Sequence, residues 1–394
     1  MSDVIPEPWA SQKRALYILG AGFSAAAGLP LAEDLWKEVC RRALRMTGRA
    51  EKFSEDLDNY IEFKARAEGK ILKQEDVNFE EFLGFLDIEH YLGLRGSDTW
   101  SEDGNESQVI VKTLIGQILA EKMPNANAIP QLYLEFVKKL KPWDRIITFN
   151  YDTLLEQACE AANIPFRLGS QRYTEVTEGG GMLDMSDAAS DEVVILKLHG
   201  SIDWFDRKYY RQREEWAYRN GHNNSVLDDP IFNSPQNHKI KPLVEGPRFL
   251  NDPLREVYRL LDVKRFYADP PFFLATPTLI TPSTAKIVYS QKFEEFWRGM
   301  GRDGGHGFRM VIIGYSLPLH DEYAHQVIYR LVTNYQDIPV ERVDSRRQKE
   351  PLVMVDLCRN KTQENDLKQR YRFVDWSRAE TFLSGFNCEV IARL

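Results

Sequence analysis

Cysteine is scarce and scattered in this chain. Only four occur, Cys40, Cys159, Cys358 and Cys388. None forms a C-x-x-C pair, which excludes a zinc ribbon and argues against a disulfide framework. Their scatter fits a reducing compartment, and a cytoplasmic protein is expected. Positive charge is short too, since 51 Lys and Arg face 59 Asp and Glu, a formal charge of −8 at pH 7. That balance does not suit a general nucleic-acid coat or an anionic membrane surface, so no direct nucleic-acid binding is expected. No apolar run approaches the length of a membrane span. The opening MSDVIPEPWASQKR has neither the basic start nor the apolar core of a signal peptide. Internal repeats and low-complexity tails are absent.

What is present suits a globular α/β protein. The apolar share is 43% of 394 residues, enough for a substantial core in one large or two medium domains. Five continuous apolar runs stand out: RALYILG (14–20), RIITFN (145–150), EVVILKLHG (192–200), FRMVIIGYSL (308–317) and PLVMVDLC (351–358). A sixth, CEVIARL, closes the chain. Continuous rather than alternating apolarity predicts strands buried on both faces. Helical patterns follow at 152–162, 320–333 and 376–386. The alternation predicts a doubly wound, mainly parallel, Rossmann-like sheet. Two insertions interrupt it. Residues 50–141 read as a helical module, with Phe79, Phe82, Leu83 and Leu86, then Val111, Leu114, Ile115 and Ile118, at three- and four-residue spacing. Residues 205–265 are polar with little period and read as a lid or partner surface.

The first run ends in Gly20-Ala21-Gly22-Phe23-Ser24, with Ala25 where a third small residue of a G-x-G-x-x-G/A turn belongs. Glycines there allow a tight turn and close approach of a pyrophosphate, whose charge a following helix N-terminus can receive. No acidic residue ends a second strand at the ordinary dehydrogenase distance, which points away from hydride transfer. Other strand ends carry polar groups aimed at the same rim: Asn150 and Asp152, His199, Gly314 and Ser316, and Asp356. Each also has a structural reading. Asp152 suits an N-cap of the next helix, Asn150 a turn, His199 a packing role, and Ser316 a cap before LPLHDEY. His320 and His325 lie five apart, do not share a helix face, and read as surface or packing residues. No metal is required.

These residues resemble the sirtuin family. GAGFS with Gly28 and Pro30 is similar to its GAGxSxxxGxP pattern, and TFNYD (148–152) to its TQNID segment. Leu198-His199-Gly200 is similar to its catalytic histidine and glycine, and Gly314-Tyr315-Ser316 to its GTS segment. The departures are Leu31, Ala32 and Glu33 where sirtuin deacylases have Asp-Phe-Arg, and no four-cysteine zinc module. GLP, FNYD and HGSIDW look instead like a bacterial sirtuin-like branch associated with anti-phage defence, whose members hydrolyse NAD, some beside a HerA-type ATPase.

The resemblance implies a single domain over 1–394 and an NAD glycohydrolase gated by a partner or by homo-oligomeric assembly. Asn150, His199 and Asp152 would be catalytic. Gly20, Ala21, Gly22, Phe23, Ser24, Gly314, Ser316 and Asp356 would bind NAD. A protein deacylase, an ADP-ribosyltransferase and a catalytically silent nucleotide-binding subunit are the alternatives.

Overall fold

Each of the five apolar runs forms a strand, because branched apolar side chains on both sides of a segment need cover on both faces. The computed structural model describes residues 14–46, 48, 50–94, 104–142, 144–169, 192–207, 219–221, 240–244, 253–268, 276–282, 293–297, 307–338 and 349–394. Its strands in chain order are β1 (Ala15–Leu19), β2 (Arg145–Thr148), β3 (Phe166–Leu168), β4 (Val193–Lys197) and β5 (Trp204–Asp206). They continue with β6 (Ile240–Pro242), β7 (Val257–Leu260), β8 (Arg309–Ile313), β9 (Leu352–Val355) and β10 (Ala379–Phe382). Seven of them make one sheet, ordered β10-β9-β8-β1-β2-β4-β3. Every neighbouring pair in it is parallel. The chain leaves β1 toward β2 on one side and returns as β8 on the other. The sheet order therefore reverses at β1/β8, the place where open α/β sheets receive ligands.

The end of the chain differs from the sequence expectation. CEVIARL is a helix, Cys388–Arg393, and the segment expected to be helical, 376–386, holds β10 instead. Asn387 decides the first, since its side chain accepts the Val390 N–H at 3.2 Å and starts a helix that buries Val390 and Ile391. The free edge of β9 decides the second, pairing Phe382 with Val355 and Ala379 with Leu352. Strand β3 and the small antiparallel sheet β5-β7-β6 also carry no continuous apolar run. That small sheet falls partly within 205–265; the rest of that stretch, where a lid was expected, lies mostly outside the described residues.

Helices fill the space between β1 and β2: α1 (Ala21–Ala25), α2 (Ala32–Ala43), α3 (Ala50–Glu68), α4 (Phe79–Leu92), α5 (Glu106–Lys122) and α6 (Gln131–Lys139). All eight residues singled out by spacing in this module are buried. Phe82 meets the rings of Trp36 at 5.5 Å, Tyr60 at 5.5 Å and Phe53 at 6.2 Å. Burying a side chain of this size contributes about 1.5–3 kcal/mol. Helix α5 is buried on nearly every face and starts with a capping box between Asn105 and Gln108. It is the axle of the module. Among the described residues, no helix is long and apolar enough to cross a membrane.

Candidate functional site

The glycines after β1 serve a protein contact. Gly20 N–H donates to Ile313 O at 3.0 Å, and Gly22 N–H to Gly314 O at 2.9 Å. A Cβ on Gly20 would lie 2.5 Å from Gly314 O, and one on Gly22 2.6 Å from Gly314 Cα. Gly314 is left-handed at φ +58°, and its own Cβ would meet Gly22 Cα at 2.4 Å. The turns after β1 and β8 therefore touch backbone to backbone. These are the amides expected to face a pyrophosphate. The N–H groups of Gly20 and Gly22 are engaged by the neighbouring turn, and that of Phe23 by Gly20 O at 2.9 Å. The Phe23 side chain points into the core, against Tyr133, Phe136 and Phe386. Ala21 alone of the five is exposed, and Ser24 is buried.

Asn150 reaches this turn from the next strand. Its Nδ2 donates to Gly20 O at 2.9 Å and to Ser24 Oγ at 3.1 Å. The side-chain amide is thereby oriented, with nothing among the described residues donating to Oδ1. Asp152 does take part in starting a helix, α7 (Leu154–Ala161), by accepting the Leu154 N–H at 3.0 Å. It stands one residue before the cap position, Thr153. Below it, the buried Lys197 donates to Asp152 O and to Glu156 Oε1, the latter at 2.8 Å. Burial pushes the Glu156 carboxyl up, and Lys197 opposes that rise.

His199 leaves the adjacent strand at the same height. Thr148 and Lys197 are partners in the β2–β4 register, so Asn150 and His199 each stand two residues beyond a paired position. Adjacent strands lie about 4.8 Å apart. The loops are also tied, since Tyr151 O accepts from Ile202 N at 3.0 Å and from Ser201 Oγ at 3.2 Å. The His199 ring is 4% exposed, edge-on to Phe149 at 5.0 Å and tilted to Tyr151 at 6.1 Å. Phe149 stacks in turn on Tyr315 at 4.1 Å. Gly200 allows the turn. Its φ is +76°, and a Cβ there would lie 2.1 Å from Thr278 O.

The residue that sequence reasoning missed is Asp321. Its Oδ2 lies 2.8 Å from His199 Nε2, while Oδ1 accepts the Ala324 N–H at 3.0 Å and caps the helix Glu322–Asp337. Asp321 is fully buried. A carboxylate accepts, so Nε2 donates to Asp321, and whenever the ring is neutral Nδ1 is its acceptor nitrogen. The signal available was the Asp of LHDEY at a helix start, 122 residues from the histidine it holds. Lys197 could have been noticed as a charge inside an otherwise apolar strand.

Ser316 and Asp356 close the rim beyond β8 and β9. Ser316 is exposed and does not cap the next helix, because that helix starts at Glu322 and Asp321 caps it. Asp356 is partly buried, and its Oδ1 accepts the Leu357 N–H at 2.7 Å. Burial pushes its carboxyl above the usual range, against the Leu357 N–H and Arg370. Among the described residues, no group of three or more His, Cys, Asp or Glu is placed to hold a metal.

The SIR2-like domain family matches residues 144–240, the stretch that carries Asn150, Asp152 and His199. No curated protein matches the chain. Solved structures to which it is similar include Sir2Tm bound to a propionylated peptide, at 12% identity and a TM-score of 0.31, covering 98% of this chain and 93% of that one. One described for the structural basis of sirtuin substrate affinity has 13% identity, a TM-score of 0.33 and 98% and 94% coverage. One described for the mechanism and regulation of Sir2 enzymes has 14% identity, a TM-score of 0.33 and 98% and 93% coverage. The chain is thus an α/β protein with a seven-stranded parallel sheet and a SIR2-like segment spanning the strand ends of Asn150 and His199.

Proposed function

We propose that this chain is an NAD glycohydrolase, releasing nicotinamide and ADP-ribose. One observation carries the reading: an oriented amide, Asn150, and a carboxylate-held imidazole, His199, leave neighbouring strands at one height beside the β1/β8 switch point. The match to a SIR2-like domain over the same strand ends supports it.

In this reaction the C1′–N bond breaks, and nicotinamide leaves a cationic pyridinium as a neutral base. It needs little acid help. Water forms the new C1′–O bond and gives its proton to His199 and then to solvent, so NAD and water become ADP-ribose, nicotinamide and a proton. Asn150 Oδ1 accepts from the water or a ribose hydroxyl and holds it in line. Asp321 keeps the His199 ring in one tautomer and orientation. Asp152 shapes the loop that carries Asn150. Ser316 binds a ribose or phosphate oxygen, and Asp356 accepts from ribose hydroxyls and repels a 2′-phosphate, favouring NAD over NADP. The exposed edge of the glycine turn, at Ala21, faces the pyrophosphate.

The resemblance of GLP, FNYD and HGSIDW supports a finer assignment: NAD depletion in anti-phage defence, by a homo-oligomer in the cytoplasm restrained by assembly or by a HerA-type ATPase. Nicotinamide release from NAD, followed with and without such an ATPase, tests both levels. Release that disappears in folded Asn150→Ala and His199→Ala is the expected result. Intact NAD in every assembly would remove the reading. Acyl loss from a peptide without peptide-independent NAD cleavage would replace it with a deacylase.

A further inference from the structure

Helices α3 and α4 are strongly net negative. Residues Ala50–Glu68 and Phe79–Leu92 hold ten Asp and Glu against three Lys and Arg, a balance of −7 in a chain of −8. The two helices flank an open cleft of about 840 Å³. Its floor is apolar, with the Phe63 and Phe85 rings 5.2 Å apart and Tyr60 5.4 Å from Phe85. Phe63 and Ile88 are each 42% exposed, and Leu94 is 64% exposed. Glu62, Glu68, Glu80, Glu81 and Glu89 stand around them with Lys64 and Arg66. Arg66 pairs with Glu62 at 3.1 Å and Lys64 with Glu68 and Glu81 at 2.9 and 2.8 Å, so carboxylates outnumber the cations at the rim. An apolar trough between two helices, rimmed with carboxylates, matches an amphipathic helix whose apolar face is flanked by Lys and Arg.

The cleft backs directly onto the floor of the candidate site. His320 lines it and pairs with Glu80 at 2.5 Å, and the next residue, Asp321, holds His199. Pro282 lines it as well. Beside Pro282, Thr281 Oγ1 donates to Asp87 of α4 at 2.5 Å. Ile280 N–H then donates to His199 O at 2.9 Å, and Ile280 O accepts from Tyr151 Oη at 3.0 Å. Two separate segments therefore run from the cleft to one residue, the first to the His199 ring nitrogen and the second to its main-chain carbonyl. Tyr315 sits near both carboxylates; burial, then Asp321, and to a lesser degree Glu80, push its phenol well above the usual range.

We propose that the α3–α4 cleft is a docking face for a basic amphipathic helix of a partner protein, whose binding repositions His199 through His320–Asp321 and Pro282–Ile280. The docking stands without the reaction proposed above; its effect on turnover rests on that reading. A partner shifts the His199 arrangement only by as much as it prefers one arrangement over the other, so a tenfold preference gives a tenfold shift.

The test uses the full chain and a fluorescent Lys/Leu peptide of about 18 residues, patterned with the 3.6-residue helical period. Anisotropy should show binding that weakens with salt and falls at least about tenfold in Phe63→Ser and in Glu62→Lys. Histidine ring NMR, with the His199 signal assigned by His199→Gln, should show that signal moving when the peptide binds. Equal affinity in the wild type and both variants, or equal binding of a Glu/Leu peptide, overturns the docking face. Self-association of the chain that Phe63→Ser abolishes puts a second copy in the cleft and overturns the partner-helix assignment. A bound peptide with an unmoved His199 signal overturns the coupling. A moved signal with NAD left intact upholds this inference while removing the hydrolase reading.

Discussion

The floor under Asn150 and the cleft between α3 and α4 are each built around one histidine paired with one carboxylate, and they differ in what surrounds the pair. His199 is 4% exposed, and its partner Asp321 is fully buried and spends its second oxygen on a helix start. His320 keeps 22% of its side chain exposed, and its partner Glu80 18%. Burial alone would lower the His320 pKa, yet Glu80 outweighs it and holds the imidazole above its usual value. The deep pair fixes a ring; the shallow pair can change its charge. Because the two meet across the His320–Asp321 peptide link, a change at the shallow pair has a short path to the deep one.

Removing the imidazole of the deep pair, or the amide above it, should have the largest effect. His199→Ala and Asn150→Ala should each lower nicotinamide release by about 10²–10⁴-fold, with circular dichroism unchanged. Next comes the turn beneath the ring. Gly200→Ala forces a Cβ against Thr278 O at a positive φ and should cost at least about 2 kcal/mol of stability, read by denaturant unfolding. Asp321→Asn should follow. Asn still caps a helix, so the melting temperature should hold, while turnover should drop about tenfold through kcat as the ring loses its fixed tautomer. Equal losses in stability and turnover would reduce Asp321 to a cap.

The smallest effect sharpens the contrast from the shallow side. A histidine whose folded value is raised stabilises the fold fully below the ordinary histidine pKa. That contribution fades as pH rises through the raised value. Glu80→Gln should flatten this part of the pH profile of unfolding, and an unchanged profile would place the His320 shift elsewhere.

Much of the rim was legible because strand ends announce themselves. A buried parallel strand must stop where polar residues begin, so Asn150, His199, Gly314 and Asp356 could be put on one edge without coordinates. The glycine turn was legible as a close approach, whether to a phosphate or, as observed, to Gly314. Either neighbour asks for the same missing Cβ. The closing segment misled for a related reason. CEVIARL has the branched apolar residues of a strand, and only Asn387 before it and the open edge of β9 assign helix and strand as observed.

Local sequence was sufficient for the five apolar strands, the helical module between the first two, and the polar groups at their ends. Burial pattern and spacing are properties of neighbours along the chain. Partnership across the fold was left to the tertiary structure: Asp321 on His199, Lys197 under Asp152, Gly22 on Gly314, and a carboxylate-rimmed cleft behind the imidazole. Those contacts join residues about 40 to nearly 300 positions apart. No period along the chain encodes them; only the sheet order β10-β9-β8-β1-β2-β4-β3 brings them together.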